Sequence, residues 1–154
     1  MLRDITNKIS NGIPEINFVG MTVSIIDERG EIAAMYKGVP QNDIGIRSDV
    51  LDNIPKVIGI RMAVRSLAPQ VVVADEIGNK NDAEVINYAI CSGVKGIFTA
   101  HGSSIQDLSL NPEINKLIKL QVFDKIIFLD SSKKGSIKNV ISINRKDSIK
   151  NVIL

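Results

Sequence analysis

The run Val71-Val72-Val73-Ala74, closed by Asp75-Glu76, constrains the fold more than any other stretch of the chain. Three β-branched residues and an alanine in succession lack the polar–apolar alternation of a half-exposed strand. Such a run suits a strand covered on both faces, as in a parallel sheet held between layers of helices. The neighbouring segments fit that frame. Met21 to Asp27 is a second short apolar run, ending in Asp27-Glu28-Arg29. Val57 to Leu67 follows a helical period, with Val57, Ile60, Val64 and Leu67 on one face and Arg61 and Arg65 on another. Pro69 breaks that helix. A further helix is predicted from near Asn81, with Glu84 placed to complete a capping box, Val85, Ile86, Ala89 and Ile90 as its apolar positions, and Gly93 to stop it. Gly96 to Thr99 reads as the next strand. Asn111-Pro112 is a helix start, N-cap then first helical residue, followed by a buried stripe of Ile114, Leu117 and Ile118. Ile126 to Leu129 is a last buried strand. Strand and helix alternate, so the expected class is α/β with a mostly parallel sheet and flanking helices.

A chain of 154 residues, 44% hydrophobic and 23% charged, suits one core. Its longest uncharged apolar stretch, Ile16 to Ile26, is too short to cross a bilayer, and no apolar leader opens the sequence. The single cysteine, Cys91, excludes an internal disulfide framework and fits a reducing compartment; it lies in an apolar helical run and is expected in the core. A cytoplasmic location is expected. Charge is uneven: residues 133–154 carry six cations against Asp147, whereas the rest of the chain carries thirteen cations against sixteen anions. A basic tail on an acidic body could touch the inner face of an anionic membrane or a nucleic acid, but a solvated strand face is the favoured reading. No aromatic residues interleave with the lysines, so no specific nucleic-acid contact is expected. The tail also repeats itself: SIKNVI occurs at 136–141 and again at 148–153. Two strands turning at Asn144 to Asp147 would give an antiparallel edge hairpin.

Four segments should converge, because each follows a predicted parallel strand and ligands of open α/β sheets sit beyond the carboxyl ends of the strands. They are Asp27-Glu28, Asp75-Glu76, the loop Thr99 to Ser104, and the loop after Leu129. An apolar strand ending in two adjacent carboxylates is the Walker B pattern, in which the first acid holds Mg²⁺ and the second polarises an attacking water. Asp75 is thus the candidate metal ligand and Glu76 the candidate base. His101, the sole histidine, follows a strand beside them in a Gly/Ser-rich loop. A serine hydrolase built on Ser103 or Ser104 is disfavoured, since there is no G-x-S-x-G elbow. Arg61 and Arg65 could neutralise phosphate charge, or simply form a solvated helix face. Arg47, in the turn-rich loop 38–49, could reach a neighbouring subunit. No G-x-x-x-x-G-K-[ST] occurs, nor any Gly-Lys pair, so the phosphate cradle of an ATPase is missing.

Taken together, Asp27-Glu28-Arg29, Gly38-Val39-Pro40-Gln41-Asn42-Asp43, Gly45-Ile46-Arg47, Asp49-Val50-Leu51-Asp52, Asp75-Glu76-Ile77-Gly78 and Thr99-Ala100-His101-Gly102-Ser103-Ser104 resemble the stage III sporulation protein AA family of endospore-forming bacteria. The match runs from residue 1 to about 130, and the run from Gly38 to Asp52 is the most specific part of it. That family is similar in turn to the hexameric ATPases of type II and type IV secretion and of type IV pili. The resemblance implies a RecA-like P-loop NTPase fold, with residues 1–130 a partial ATPase domain that begins after Walker A and lacks the P-loop strand, and residues 131–154 a basic hairpin extension. It further implies Asp27 and Glu28 as an acidic box, Arg61 and Arg65 as arginines ahead of Walker B, and His101 as a γ-phosphate sensor. ATP and Mg²⁺ are the implied cofactors of the full-length family. A homo-hexamer working on membrane-embedded channel proteins between mother cell and forespore is the implied assembly. Family members carry a phosphate loop that runs directly into the Leu2-Arg3-Asp4-Ile5 found here. This chain alone is therefore expected not to hydrolyse ATP, and a non-catalytic docking module is the rival reading. Without a P-loop strand, Ile126 to Leu129 is expected to close directly against Gly96 to Thr99.

Overall fold

The computed structural model describes residues 1–130, 132–133, 135–143 and 151–153. Its elements, in chain order, are α1 (Leu2–Asn11), β1 (Gly12–Ile13), a 3₁₀ turn (Pro14–Ile16), β2 (Phe18–Val19), β3 (Val23–Asp27), β4 (Met35–Tyr36), β5 (Val39–Pro40), β6 (Ser48–Asp52), α2 (Lys56–Ser66), β7 (Val71–Ala74), α3 (Asp82–Cys91), β8 (Lys95–Phe98), α4 (Ile105–Leu110), α5 (Pro112–Lys119), β9 (Lys125–Leu129), β10 (Ile137–Ser142) and β11 (Asn151–Ile153). Seven strands form the main sheet in the order β10-β9-β11-β8-β7-β3-β6. All neighbours are parallel except β10, which runs antiparallel to β9. The expected α/β class and its parallel sheet are present. No helix among the described residues is long and apolar enough to cross a membrane.

The continuous apolar runs are explained by burial on both faces. Along β7, Val72 and Ala74 face one core, Val71 and Val73 the other, and all four are at most 2% exposed. Register carries the alternation sideways: Ile25, Val73 and Ile97 line up on one face, and Ile26, Ala74 and Phe98 on the other. The second face is packed by α2, α3 and α5, with Phe98 edge-on to Phe123 at 6.3 Å between ring centroids. Burying side chains of this size stabilises by about 1.5–3 kcal/mol each. The first face is covered by Ile5 and Ile9 of α1, by Ile32 and Ala33 of the loop that follows β3, and by Ile44 of the loop between β5 and β6.

Several local expectations are corrected. The buried face of α2 is Lys56, Gly59, Ile60 and Ala63, with Val57 and Val64 at its margin and Leu67 exposed. Gly59 sets this orientation: a Cβ there would lie 2.6 Å from Ile26 Cγ2, so only glycine lets α2 approach β3 so closely. Helix α3 has no capping box. Asn81 makes no side-chain cap; instead Asp82 Oδ2 accepts from the N–H groups of Gly78 and Asn79, and Glu84 is drawn away by Arg61. Cys91 is exposed on the last turn of α3 rather than in the core, because the core-facing stripe is Ala83, Val85, Ile86 and Ala89. Arg47 is exposed, and its Nη1 donates to Ser10 O at 3.0 Å. Ser48 and Asp49, read as the end of the loop 38–49, instead open the edge strand β6, whose polar alternation reflects an exposed edge.

The largest correction concerns the carboxyl end. Strands β8 and β9 do not pair with each other; β11 lies between them, parallel to both. An antiparallel hairpin is present, but its strands are β9 and β10. The described part of the second SIKNVI copy, Asn151–Ile153, therefore flanks β9 on the side opposite to the first copy instead of pairing with it. The turn expected at Asn144 to Asp147 lies outside the described residues.

Candidate functional site

Chain direction at the end of β7 builds the site. Asp75 continues the buried strand, and Glu76 then adopts φ 43°, a left-handed conformation that costs a non-glycine residue energy unless its surroundings enforce it. Two bonds from the adjacent strand end enforce it here: Glu76 N–H donates to Thr99 Oγ1 at 2.9 Å, and Ile77 N–H donates to Thr99 O at 2.8 Å. The reversal sends consecutive carboxylates into different environments.

Asp75 is 7% exposed, and both carboxylate oxygens lack a hydrogen-bond partner among the described residues. Burial pushes its carboxyl above the usual range; the positive charge of Lys56 pulls the other way, and Asp27 and Glu31 add to the rise. Glu76 is one-third exposed. One of its oxygens is ion-paired with the Arg29 guanidinium, and the other lies 3.3 Å from His101 Nε2. His101 itself is exposed on the loop after β8. These residues open into a cavity of about 400 Å³ whose wall includes Arg3, Glu31, Asp75, Glu76, Thr99 and His101. Arg3 is held there by donating to the carbonyls of Ile32 and Glu31.

The other candidates stand apart from the cavity. Asp27 is fully buried and accepts from the N–H groups of Glu31, Ile32 and Ala33 at 2.8–3.2 Å, so it shapes the loop that forms the cavity wall. Glu28 is bonded at 2.7 Å to Lys56 Nζ, and that hydrogen bond holds its carboxyl below the usual range. Arg61 pairs with Glu84 at 2.7 Å and lies over the Tyr88 ring, on the outward face of α2, where Arg65 is also exposed. Ile126 to Leu129 of β9 border a different cavity, shared with Thr99, Ala100 and Leu108, and the loop after Leu129 lines neither of these two cavities. Ser104 caps α4 by accepting from Asp107 N–H, and Ser103 is bonded to the Asp107 carboxylate, so each serine serves the start of a helix.

Three residues that organise the site were missed in the sequence. Arg29 follows the acidic pair directly and, as the cation nearest it, could have been suspected as a carboxylate partner. Thr99 is read in the sequence as a strand end and the start of the converging loop, with no role of its own. Lys56 gives no signal, since nothing in Pro55-Lys56-Val57 announces a lysine 5% exposed. Buried lysines survive by pairing, and Lys56 has Glu28 beside it.

No group of three or more His, Cys, Asp or Glu side chains that could hold a metal ion occurs among the described residues. That does not conflict with a magnesium site. Mg²⁺ is commonly held by one or two carboxylates with water and substrate phosphates completing the shell. A buried carboxylate with no protein partner, at a cavity wall, is a donor of that kind.

Comparison with known proteins bears on the same residues. The family model for sporulation stage III, protein AA matches residues 1–149. Stage III sporulation protein AA of Bacillus subtilis (strain 168) is 39% identical over 133 residues, covering 86% of this chain and 43% of that protein. The chain thus spans less than half the length of that relative. No solved structure matches.

Proposed function

The chain belongs to the sporulation stage III protein AA family, and from that premise we propose that it forms the metal-holding and water-activating side of an ATP-hydrolysing motor used in endospore formation. The observation that carries this reading is the partnerless, buried Asp75 carboxylate beside Glu76 and His101 at the carboxyl ends of β7 and β8.

In this reading Asp75 would hold Mg²⁺, which when bound offsets charge on phosphate oxygens. Glu76 accepts the proton of an attacking water. Its two oxygens already have a cation and an imidazole beside them, so its position is fixed before any substrate arrives. The strained turn, held by Thr99, keeps its carboxylate turned out while Asp75 stays in. His101, exposed at the rim, reports on the distal phosphate. Asp27 and Glu28 act through the loop and through Lys56. Arg61 and Arg65, on the outward face of α2, serve a nucleotide site on an adjoining subunit of a homo-hexamer. A RecA-like arrangement is compatible with the parallel sheet and its acidic strand ends. The motor works in the cytoplasm against membrane-embedded channel proteins.

The sequence supplies no Gly-Lys pair, so these residues do not cradle ATP phosphates by themselves. That favours a second reading for residues 1–154 alone: a module that docks in the assembly without turning over ATP.

The metal half of the proposal is tested with Mn²⁺, a paramagnetic substitute for Mg²⁺. Titrated into the isotopically labelled chain, it should broaden the amide signals of Asp75, Glu76, Thr99 and His101 first, and Asp75→Asn should abolish that selectivity. Broadening spread evenly over surface carboxylates, and unchanged in the variant, would remove Asp75 from the role.

A further inference from the structure

Four carboxylates, Asp4, Glu31, Asp75 and Glu76, stand on the wall of the cavity of about 400 Å³, and Arg3 stands among them. Other cations around the strand ends and on α2 are engaged by carboxylates: Arg29 by Glu76, Lys56 by Glu28, Arg61 by Glu84. Arg3 is held differently. Its Nε–H donates to Ile32 O at 3.2 Å, and its Nη2–H donates to Glu31 O at 3.4 Å. Both acceptors are neutral carbonyls, and Arg3 takes part in no ion pair among the described residues.

Such bonding fixes a guanidinium without neutralising it. The carbonyls take one N–H on Nε and one on Nη2, which leaves the two on Nη1 and the second on Nη2. These form the end fork, an edge that matches two oxygens of a phosphate. A bare anion would be repelled by the four carboxylates around it. An anion that arrives with a divalent cation would not be. The cation would face the acids, Asp75 above all, whose oxygens have no partner among the described residues. The outer oxygens of the anion would then be left for the guanidinium.

We propose that Arg3 binds a phosphate oxygen of a polyphosphate that enters this cavity together with Mg²⁺. The choice of ligand rests on the function proposed above, in which Asp75 faces the metal and Glu76 the water; Arg3 adds a cation that meets the phosphate. The sequence has no Gly-Lys pair to bring a phosphate-binding lysine here. One guanidinium is not a cradle, so binding by residues 1–154 alone should be weak.

The isotopically labelled chain tests this, with inorganic tripolyphosphate as the probe and Mg²⁺ in excess. The Arg3 Nε–H signal should shift together with the amides of Asp75, Glu76, Thr99 and His101, and should stay in place when Mg²⁺ is left out. Arg3→Gln should weaken binding about tenfold, read from those amides, and Arg3→Lys, which keeps the charge, should recover part of the loss. Mn²⁺ alone should broaden the same amides in Arg3→Gln as in the parent. A tripolyphosphate affinity unchanged in Arg3→Gln would overturn the proposal and leave Arg3 a strut between α1 and the loop after β3. An Arg3 signal that stays still while the cavity amides move would do the same, and that result needs no variant to fold. So would an equal response without Mg²⁺, or no response at all. Absence of selective Mn²⁺ broadening, with the Mg²⁺-dependent Arg3 shift intact, would instead sink the Asp75 assignment and leave Arg3 in its role.

Discussion

Asp75→Asn separates a carboxylate kept for function from one kept for stability. The parent side chain is 7% exposed, neither oxygen has a partner among the described residues, and burial pushes its carboxyl upward. A buried polar group left unsatisfied costs about 1–3 kcal/mol, and more when charged. Asparagine preserves shape while removing the charge, although its amide stays poorly satisfied. The variant should therefore be more stable than the parent at neutral pH by about 1–2 kcal/mol. For a domain of this size each kcal/mol corresponds to about 2–4 °C in Tm. Because the folded pKa is raised, the folded chain holds the proton more tightly than the unfolded one. The penalty is absent below the ordinary Asp range, grows as pH rises through it, and is complete above the raised value. The gain from asparagine should follow the same course and vanish in acid. Urea unfolding followed by circular dichroism, from about pH 4 to pH 7.5, spans the ordinary Asp range and the region above it. Saturating Mg²⁺ should stabilise the parent by mass action and leave the variant unmoved. A variant less stable than the parent at neutral pH would refute the reasoning, for the carboxylate would then be making a favourable contact.

Other substitutions test the frame around the site. Lys56→Met should cost about 1 kcal/mol at neutral pH by removing the cation bonded to the one-third-exposed Glu28, measured by urea unfolding. Because Glu28 is held below its usual range, the stability it shares with Lys56 is present above the ordinary Glu range and is lost as pH falls through the lowered value; the deficit should shrink with it. Asn111→Ala removes the cap of α5 and the Nδ2–H bond to Gly78 O that ties this helix to the loop after Glu76. A loss of about 1–2 kcal/mol is expected, with faster hydrogen exchange at Ile77 and Gly78.

Much of this was legible in the sequence because burial on two faces leaves a plain mark. The run from Val71 to Ala74 could only be an interior parallel strand, and adjacency of strand ends then follows from topology. Asp75, Glu76 and His101 were found that way and share one cavity. What was not legible depends on partners distant in sequence. Asp27 and Asp75 both end apolar strands, yet one is filled by the N–H groups of its own loop and the other is left bare. Nothing in either strand announces the difference. Lys56 is buried because Glu28 and three other carboxylates, Asp75, Asp82 and Asp27, stand near it or near one another, a fact of three dimensions. The two SIKNVI copies show the limit most sharply: identical residues run antiparallel to β9 in β10 and parallel to it in β11. Local propensity cannot choose between such outcomes, since pairing in a sheet is decided by neighbours.

If Glu76 activates water for ATP hydrolysis as proposed, turnover measures it most directly. The assay uses a longer polypeptide in which residues 1–154 are joined to a phosphate-binding loop of the family, with ATP affinity and steady phosphate release recorded for parent and Glu76→Gln. In Glu76→Gln, ATP affinity should stay intact and the rate should fall by about 10²–10⁴-fold, the usual contribution of a general base. An unchanged rate in Glu76→Gln would contradict it.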